Sequence, residues 1–218
     1  PTMFVAPTDN KYDIYVGLKG KLANAVAFNV RGSYNNEDNK ALFVSNEFNP
    51  MYANTEGYAF GNSFGVVYDN VKTMSIFGEL KADFSKSTTF GISGTYNNFS
   101  SDMEAEAWNL PQLKIASTLD IDITEKWYAG ASIFFVGERK DRITVQDDLL
   151  VNPSTFSTQE VTLDSFFDLN AHLGYKYNKR LTAFLKGNNL ANQQYNRWAN
   201  FPVQGIQVLL GANYKFDF

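Results

Sequence analysis

The chain of 218 residues has no cysteine and a single histidine. The first absence excludes disulfide scaffolds, thiolate metal sites and cysteine nucleophiles. The second excludes a multi-histidine metal centre. Positive charge is scarce as well. The 19 Lys and Arg stand against 23 Asp and Glu, a net charge of −4, which argues against a nucleic-acid partner. No stretch approaches the roughly 18 apolar residues of a membrane helix. Nor is there a sustained 3.6-residue apolar period, because glycines and β-formers interrupt every candidate helix. No cofactor motif is present.

Aromatic residues are abundant. There are 19 Phe, 12 Tyr and 3 Trp, and this 16% share calls for a physical use. Apolar residues make up 44%, which excludes wholesale disorder. The length allows one domain, or a piece of a larger one. The chain begins at Pro1 with no basic segment and apolar core ahead of a cleavage site, so it reads as processed or as internal.

The dominant period is two. In Gly205–Phe218 the residues Ile206, Val208, Leu210, Ala212, Tyr214, Phe216 and Phe218 alternate with Gly, Gln, Asn, Lys and Asp, broken only by Leu209. This is a strand with one apolar and one polar face, and it is longer than the usual strand of about 5–6 residues. The same alternation occupies 12–20, 24–34, 74–84, 114–123 and 166–177. It is less regular over 87–98, 127–139 and 181–190. About nine strands result.

Their connections fall into two sets. Residues 20–24, 85–87, 124–126 and 178–180 are short and polar, as hairpin turns are. Residues 35–62, 98–112, 140–161 and 191–204 are long and rich in Asn, Ser, Gln and aromatics. Short and long alternate along the chain. Such asymmetry marks transmembrane barrels, which have short periplasmic turns, long outer loops, an apolar outer face and aromatic girdles. Lipid offers the backbone no hydrogen-bond partner, so a sheet crosses only when closed, with strands of about 9–11 residues. The expected fold is therefore all-β: an antiparallel up-and-down transmembrane β-barrel, with residues 1–218 as one barrel segment in the outer membrane and the lipid bilayer as partner. Tyr34, Tyr96 and Phe99 are expected in the loop-side belt. Phe84, Trp127, Tyr175, Tyr177 and Phe218 are expected in the turn-side belt. A soluble sandwich also alternates, but its strands are shorter and its turns do not sort by length.

With the short turns inside, Phe218 ends a strand descending to the periplasm, and nine strands place Pro1 outside. Single-chain barrels have even strand numbers. The chain is thus expected to be the C-terminal part of a larger barrel, or to hold one more strand within 35–62.

The C-terminal part, LTAFLKGNNLANQQYNRWANFPVQGIQVLLGANYKFDF, resembles the closing strands of TonB-dependent outer-membrane receptors. It carries the Asn189-Leu190 pair, then Tyr195, Trp198, Pro202 and Gly205, and a final alternating strand ending in Phe218. NSFGVVYDNVKTMSIFGELKADFS looks like a strand pair of the same group. The resemblance implies a barrel of about 22 strands with a plug domain. It also implies import of a scarce nutrient (an iron chelate, cobalamin or a glycan) energised through TonB. The 218 residues hold no plug or TonB-contact segment, so a plugless porin-like or scaffolding barrel, perhaps joined to other outer-membrane subunits, stays open. Tyr214, Phe216 and Phe218 resemble the terminal signal read by the barrel assembly machinery, whose physical basis is strand addition with side chains in alternate pockets.

Candidate site residues follow from the pattern. Arg31, Lys114, Asp120, Asp122, Asp168 and His172 lie on polar faces and are expected to line the lumen, with Asp120 and Asp122 pairing with cations such as Lys114 or Arg31. His172 has no evident catalytic partners and no enzymatic activity is expected. Arg139, Lys140 and Arg142 open a long loop and suit a solvated rim, outer-leaflet phosphates or an anionic ligand. Tyr58, Trp108, Arg197 and Trp198 are loop residues that suit ligand faces or loop packing.

Overall fold

A computed structural model describes residues 5–45, 64–146 and 156–216. The strands in chain order are β1 (Asp9–Ala23), β2 (Val26–Ser45), β3 (Phe64–Ser85), β4 (Thr88–Ser101), β5 (Leu113–Asp122), β6 (Trp127–Val136) and β7 (Arg139–Gln146). They continue with β8 (Phe156–Leu163), β9 (Phe166–Lys176), β10 (Leu181–Asn188), β11 (Asn196–Trp198), β12 (Phe201–Pro202) and β13 (Gln207–Tyr214). No helix occurs among the described residues.

Nine strands form one antiparallel sheet in the order β1-β2-β3-β4-β5-β6-β9-β10-β13. This is the up-and-down architecture expected from the sequence. The sheet is open, with β1 and β13 at its edges. The register explains why the period is two. Leu18, Val30, Gly78, Gly94, Ile115, Phe135 and Phe167 form one row across seven strands. One residue along, Gly17, Arg31, Phe77, Thr95, Lys114, Val136 and Phe166 form the adjacent row on the other face. A slip of one residue would exchange the faces of a whole strand, so the alternation specifies the register.

Among the described residues, no protein layer covers the apolar face. Val16 is 78% exposed, Ile76 64%, Val208 69% and Leu210 77%. A water-covered surface rarely carries so continuous an apolar patch. The buried core lies elsewhere, at the loop end: Leu42, Val44, Val71, Ala107 and Trp108 pack together with Val67, Phe99 and Leu110 against them.

All four short connections lie at the opposite end, between β1 and β2, β3 and β4, β5 and β6, and β9 and β10. Hydrogen bonds link each of them to a neighbouring strand or turn. Asp83 N donates to Ala25 O (2.8 Å), Asp122 N to Ser87 O (2.8 Å), Lys176 N to Lys126 O (2.8 Å) and Lys215 N to Arg180 O (2.9 Å). Aromatic pairs collect there too: Trp127 with Tyr175 at 4.6 Å, Phe84 with Phe90 at 6.3 Å and Tyr214 with Phe216 at 4.8 Å. Of the residues expected in the loop-side belt, Phe99 is a correction. It pairs with Thr73, so the register puts it on the polar face with Asn35 and Thr73, one residue out of phase with Asn98 and Tyr96, and there it packs on the buried loop core.

Three long connections also differ from expectation. Residues 140–161, read as a loop, hold most of the hairpin β7–β8, whose β-branched residues Ile143, Thr144 and Val161 favour pairing. Within 35–62, the described residues belong to β2, which runs on to Ser45 and pairs with β3 from Phe64. These 20- and 22-residue strands outrun a bilayer crossing by some ten residues, roughly 30 Å. Residues 191–204 contain the small ladder β11–β12.

Candidate functional site

The polar face and the loop end meet at the mouth of the sheet that carries the long connections. Beyond a bulge between Glu37 and Lys40, with Asn39 at φ 57, the prolonged β2 packs over the connection from β4 to β5. Asn tolerates that left-handed backbone better than other non-glycine residues. Phe64 of β3 touches Trp198 (5.2 Å) and Phe201 (4.6 Å), so this prolongation reaches the last loop.

Buried carboxylates tie these loops together. Asp69, 1% exposed, accepts from the backbone N–H groups of Asn70 (2.7 Å), Glu104 (2.7 Å) and Met103 (3.0 Å). Burial pushes its pKa up, but the N–H donors outweigh that and hold it below the usual carboxylate value. Glu104 accepts from Trp108 Nε1 (2.7 Å) and pairs with Arg142 Nη1 (3.1 Å). Asp141, 2% exposed, accepts from the backbone N–H of Arg142 (2.9 Å) and of Ala199 (2.8 Å). Beside it Arg139 donates to the carbonyls of Asn196 (2.7 Å) and Arg197 (2.9 Å). The hairpin β7–β8 is thereby fastened both to the β4–β5 connection and to the last loop.

Asn189, 4% exposed at φ 48, organises the start of that last loop. Its Nδ2 donates to Gln193 O (3.1 Å) and Gln204 O (3.0 Å), and its Oδ1 accepts from Gln193 N (3.1 Å). The asparagine of the Asn-Leu pair thus closes a loop with its side chain while its backbone takes the left-handed turn. Tyr195 stacks on Phe166 at 3.7 Å, and its hydroxyl donates to Asp168 Oδ2 (2.9 Å). Burial first, then Asp168, raises the pKa of that hydroxyl.

These contacts correct several ligand-facing expectations. Arg139, 8% exposed, is a loop clamp rather than a rim cation. Arg142 is committed to Glu104, and the exposed Lys140 pairs with Glu160 (2.7 Å). For Trp108 and Trp198 the loop-packing alternative is the one observed: Trp108, 4% exposed, belongs to the loop core, and Trp198 packs on Phe64. Arg197 stays exposed, its carbonyl engaged. Tyr58 and Phe218 lie outside the described residues, whereas Tyr214 and Phe216 are exposed at the turn end of the last strand.

Lower on the polar face, Asp120 and His172 flank Gly130 from the two neighbouring strands. A Cβ on Gly130 would lie 2.4 Å from His172 Cε1 and 2.7 Å from Asp120 Oδ1. Tyr128, 5.9 Å from the His172 ring, covers Gly174 on β9, and Lys176 lies 5.3 Å over the Tyr128 ring. Asp122 pairs with Lys176 at 3.6 Å. The expected partners Lys114 and Arg31 belong to a row near the loop end. Lys114 stands six residues up the strand from Asp120, roughly 20 Å away. Arg31 instead lies against the rings of Tyr15 (5.9 Å) and Phe77 (5.7 Å). Among the described residues, no group of three or more His, Asp or Glu side chains could hold a metal ion.

The buried acids Asp69 and Asp141 escape sequence reasoning. The one available signal is an acid among apolar strand residues, as in Val66-Val67-Tyr68-Asp69, and alone it does not tell a clamp from a solvated charge.

No protein-family model matches the sequence, and no curated protein matches it. Solved structures do. The ferripyoverdine receptor of the outer membrane of Pseudomonas aeruginosa superposes with a TM-score of 0.65 at 14% identity, over 94% of this chain and 27% of that one. The ferric-catecholate import receptor Fiu of E. coli K12 gives 0.63 at 14% identity, over 94% and 27%. The copper transporter OprC gives 0.66 at 12% identity, over 98% and 32%. The likeness is one of fold, and this chain spans about a quarter to a third of those proteins.

Proposed function

We propose that this chain is part of the barrel of a TonB-dependent outer-membrane receptor. In this reading its apolar face lies against lipid, its short turns face the periplasm, and its clamped loops face outward to capture a scarce nutrient of siderophore, cobalamin or glycan type. One observation carries the reading: an open antiparallel sheet has an uncovered apolar face, with all its short turns at one end and all its long connections at the other. The neighbours described above support it, since their names speak of iron-chelate and copper uptake. A barrel has no reason to sort its connections by length in water. In a bilayer the machinery must carry the loops across, and short turns stay on the side of entry.

The test is the complete reading frame together with uptake. The expected result is a plug and a TonB-contact segment encoded upstream of Pro1, and accumulation of a radiolabelled ferric chelate that stops when the proton gradient is dissipated. A frame without a plug, with uptake insensitive to the gradient, overturns the receptor reading in favour of a plugless barrel.

The last strand supplies a second partner in this reading. The alternate aromatics Tyr214, Phe216 and Phe218 form the signal that the barrel assembly machinery reads by strand addition. Removing Phe218 from the full-length protein is expected to lower the membrane-inserted fraction, measured by heat-modifiable electrophoresis. Unchanged insertion ends that idea.

A further inference from the structure

A shallow groove of about 510 Å³ crosses the apolar face from β1 to β5. Val30, Leu80 and Ile92 rise beside it, and its floor is Gly78 and Gly94, which face each other across β3 and β4. Packing within the sheet does not ask for glycine there. A Cβ at Gly78 would meet nothing within 4 Å, and one at Gly94 would make ordinary contacts at 3.8 and 3.9 Å. Neither residue takes a left-handed backbone. The missing side chains thus leave room for an occupant from outside the sheet. In hydrocarbon such a depression is filled, because an empty one forfeits van der Waals contact over its whole lining. The lining runs from Leu22, beside the first short turn, to Ile115 in β5. Four strand spacings make that about 19 Å, comparable with the ~15 Å depth of one hydrocarbon leaflet.

Charge collects at the foot of the groove. Every short turn carries a cation: Lys21, Lys86, Lys126, and the pair Lys179 and Arg180. Glu125 is the one acid within those turns, in a chain whose net charge is −4. The four lysines are exposed, and none belongs to an ion pair among the described residues. Lys21 adjoins Leu22, and Lys86 lies in the next turn, which the bond from Asp83 N to Ala25 O holds against the first. Phe84, 71% exposed, stands beside Lys86 at the level of an interfacial belt. Lysines just beyond such a belt reach headgroup phosphates on their flexible stems.

We infer that the groove seats an acyl chain of an anionic phospholipid from the turn-side leaflet, with Lys21 and Lys86 holding its headgroup. The inference rests on the bilayer placement in the reading above and not on nutrient import. The groove supplies contact along the chain, and the lysines select the charge.

The experiment uses the full-length protein in phosphatidylcholine vesicles. They contain a trace of either phosphatidylglycerol or phosphatidylcholine bearing a photoreactive diazirine on its acyl chain. Labelled peptides are identified by mass spectrometry. Phosphatidylglycerol is expected to label the peptides carrying Leu80 and Ile92 at least about tenfold more than phosphatidylcholine does. It is also expected to label them in excess of those carrying Leu173 and Leu185 on the same face. K21Q/K86Q should bring phosphatidylglycerol labelling down to the phosphatidylcholine level. G78L, which fills the floor and keeps both lysines, should abolish the excess over the rest of the face. Heat-modifiable electrophoresis confirms that each variant is a folded barrel, and G94L fills the same floor if G78L fails to assemble. Equal labelling by the two lipids, even labelling around the face, or labelling unchanged in the folded variants overturns the inference. A groove spared while the rest of the face is labelled means that a second polypeptide occupies it, and overturns the inference too. No labelling anywhere on the face refutes the bilayer placement and the inference with it. A barrel that shows the preference but does not import refutes only the receptor reading.

Discussion

Asn189 shows how one side chain can hold a loop. Its backbone sits at φ 48, and its amide joins Gln193 and Gln204 across the base of the last connection. Alanine there would lose three hydrogen bonds and keep an unfavourable backbone, a local cost of about 2–4 kcal/mol. N189A is therefore expected to assemble into a folded barrel whose 191–204 loop is cut by trypsin faster than in wild type. N189G, which relieves only the backbone, should fall between the two. Equal cleavage of all three proteins would remove the clamp role. Asp69 works by charge. Its folded pKa lies below the ordinary 3.8, so its contribution to stability is fully present above 3.8 and is lost as pH falls through the lower folded value. D69N removes the charge but keeps an acceptor. The expected outcome at neutral pH is about tenfold less protection of the Met103 and Glu104 amides in hydrogen exchange, with the variant and wild type converging as pH drops below 3.8. Protection that does not change in D69N would mean that the carboxylate does not hold these amides.

The strands make opposite demands on glycine according to face. On the polar face of β9, a Cβ at Gly174 would lie 2.0 Å from a ring carbon of Tyr128. The ring covers a bare backbone, an arrangement that pins register between neighbouring strands. On the apolar face of β3, a Cβ at Gly78 would meet nothing within 4 Å. G174A is accordingly expected to destabilise the barrel by about 1–3 kcal/mol through displacement of Tyr128. Adding Y128A should recover part of that loss. G78A should be neutral or slightly stabilising, since alanine costs less chain entropy. Urea midpoints of the heat-modifiable band measure all four proteins. A G174A midpoint equal to wild type would show that Tyr128 can leave without cost and that this pair does not set the register.

At the scale of the whole molecule the question is what covers the apolar face. Leu169, Val208 and Tyr214 belong to it, and Val208 and Tyr214 are 69% and 51% exposed. Nitroxide labels at these three positions in the full-length protein are expected to respond to lipid-dissolved oxygen and not to a water-soluble nickel chelate. Protection from both would show that protein packs there, and the membrane assignment would fail. The open edges of β1 and β13 belong to the same scale. In the proposed reading their unpaired backbone groups lie in hydrocarbon and cannot remain bare, so strands outside the nine described are expected to complete the ring.

The sequence by itself determined the nine-strand sheet, which residues share a face and which end carries the turns. Those properties follow from a period of two and from local turn chemistry, and both are written in neighbouring residues. The lone His172 on the polar face and the aromatics around Trp127 were legible for the same reason. Only the tertiary structure decided what the loop residues do. Arg139 reads as a rim or anion-binding cation and Trp108 as either a ligand face or loop packing, yet both are buried, as is the unflagged Asp141. Their partners are distant in sequence: Asp141 meets Ala199 across 58 residues, and Arg142 meets Glu104 across 38. Contacts between separate loops depend on how the sheet curves and where β2 bends inward. No local spacing encodes either.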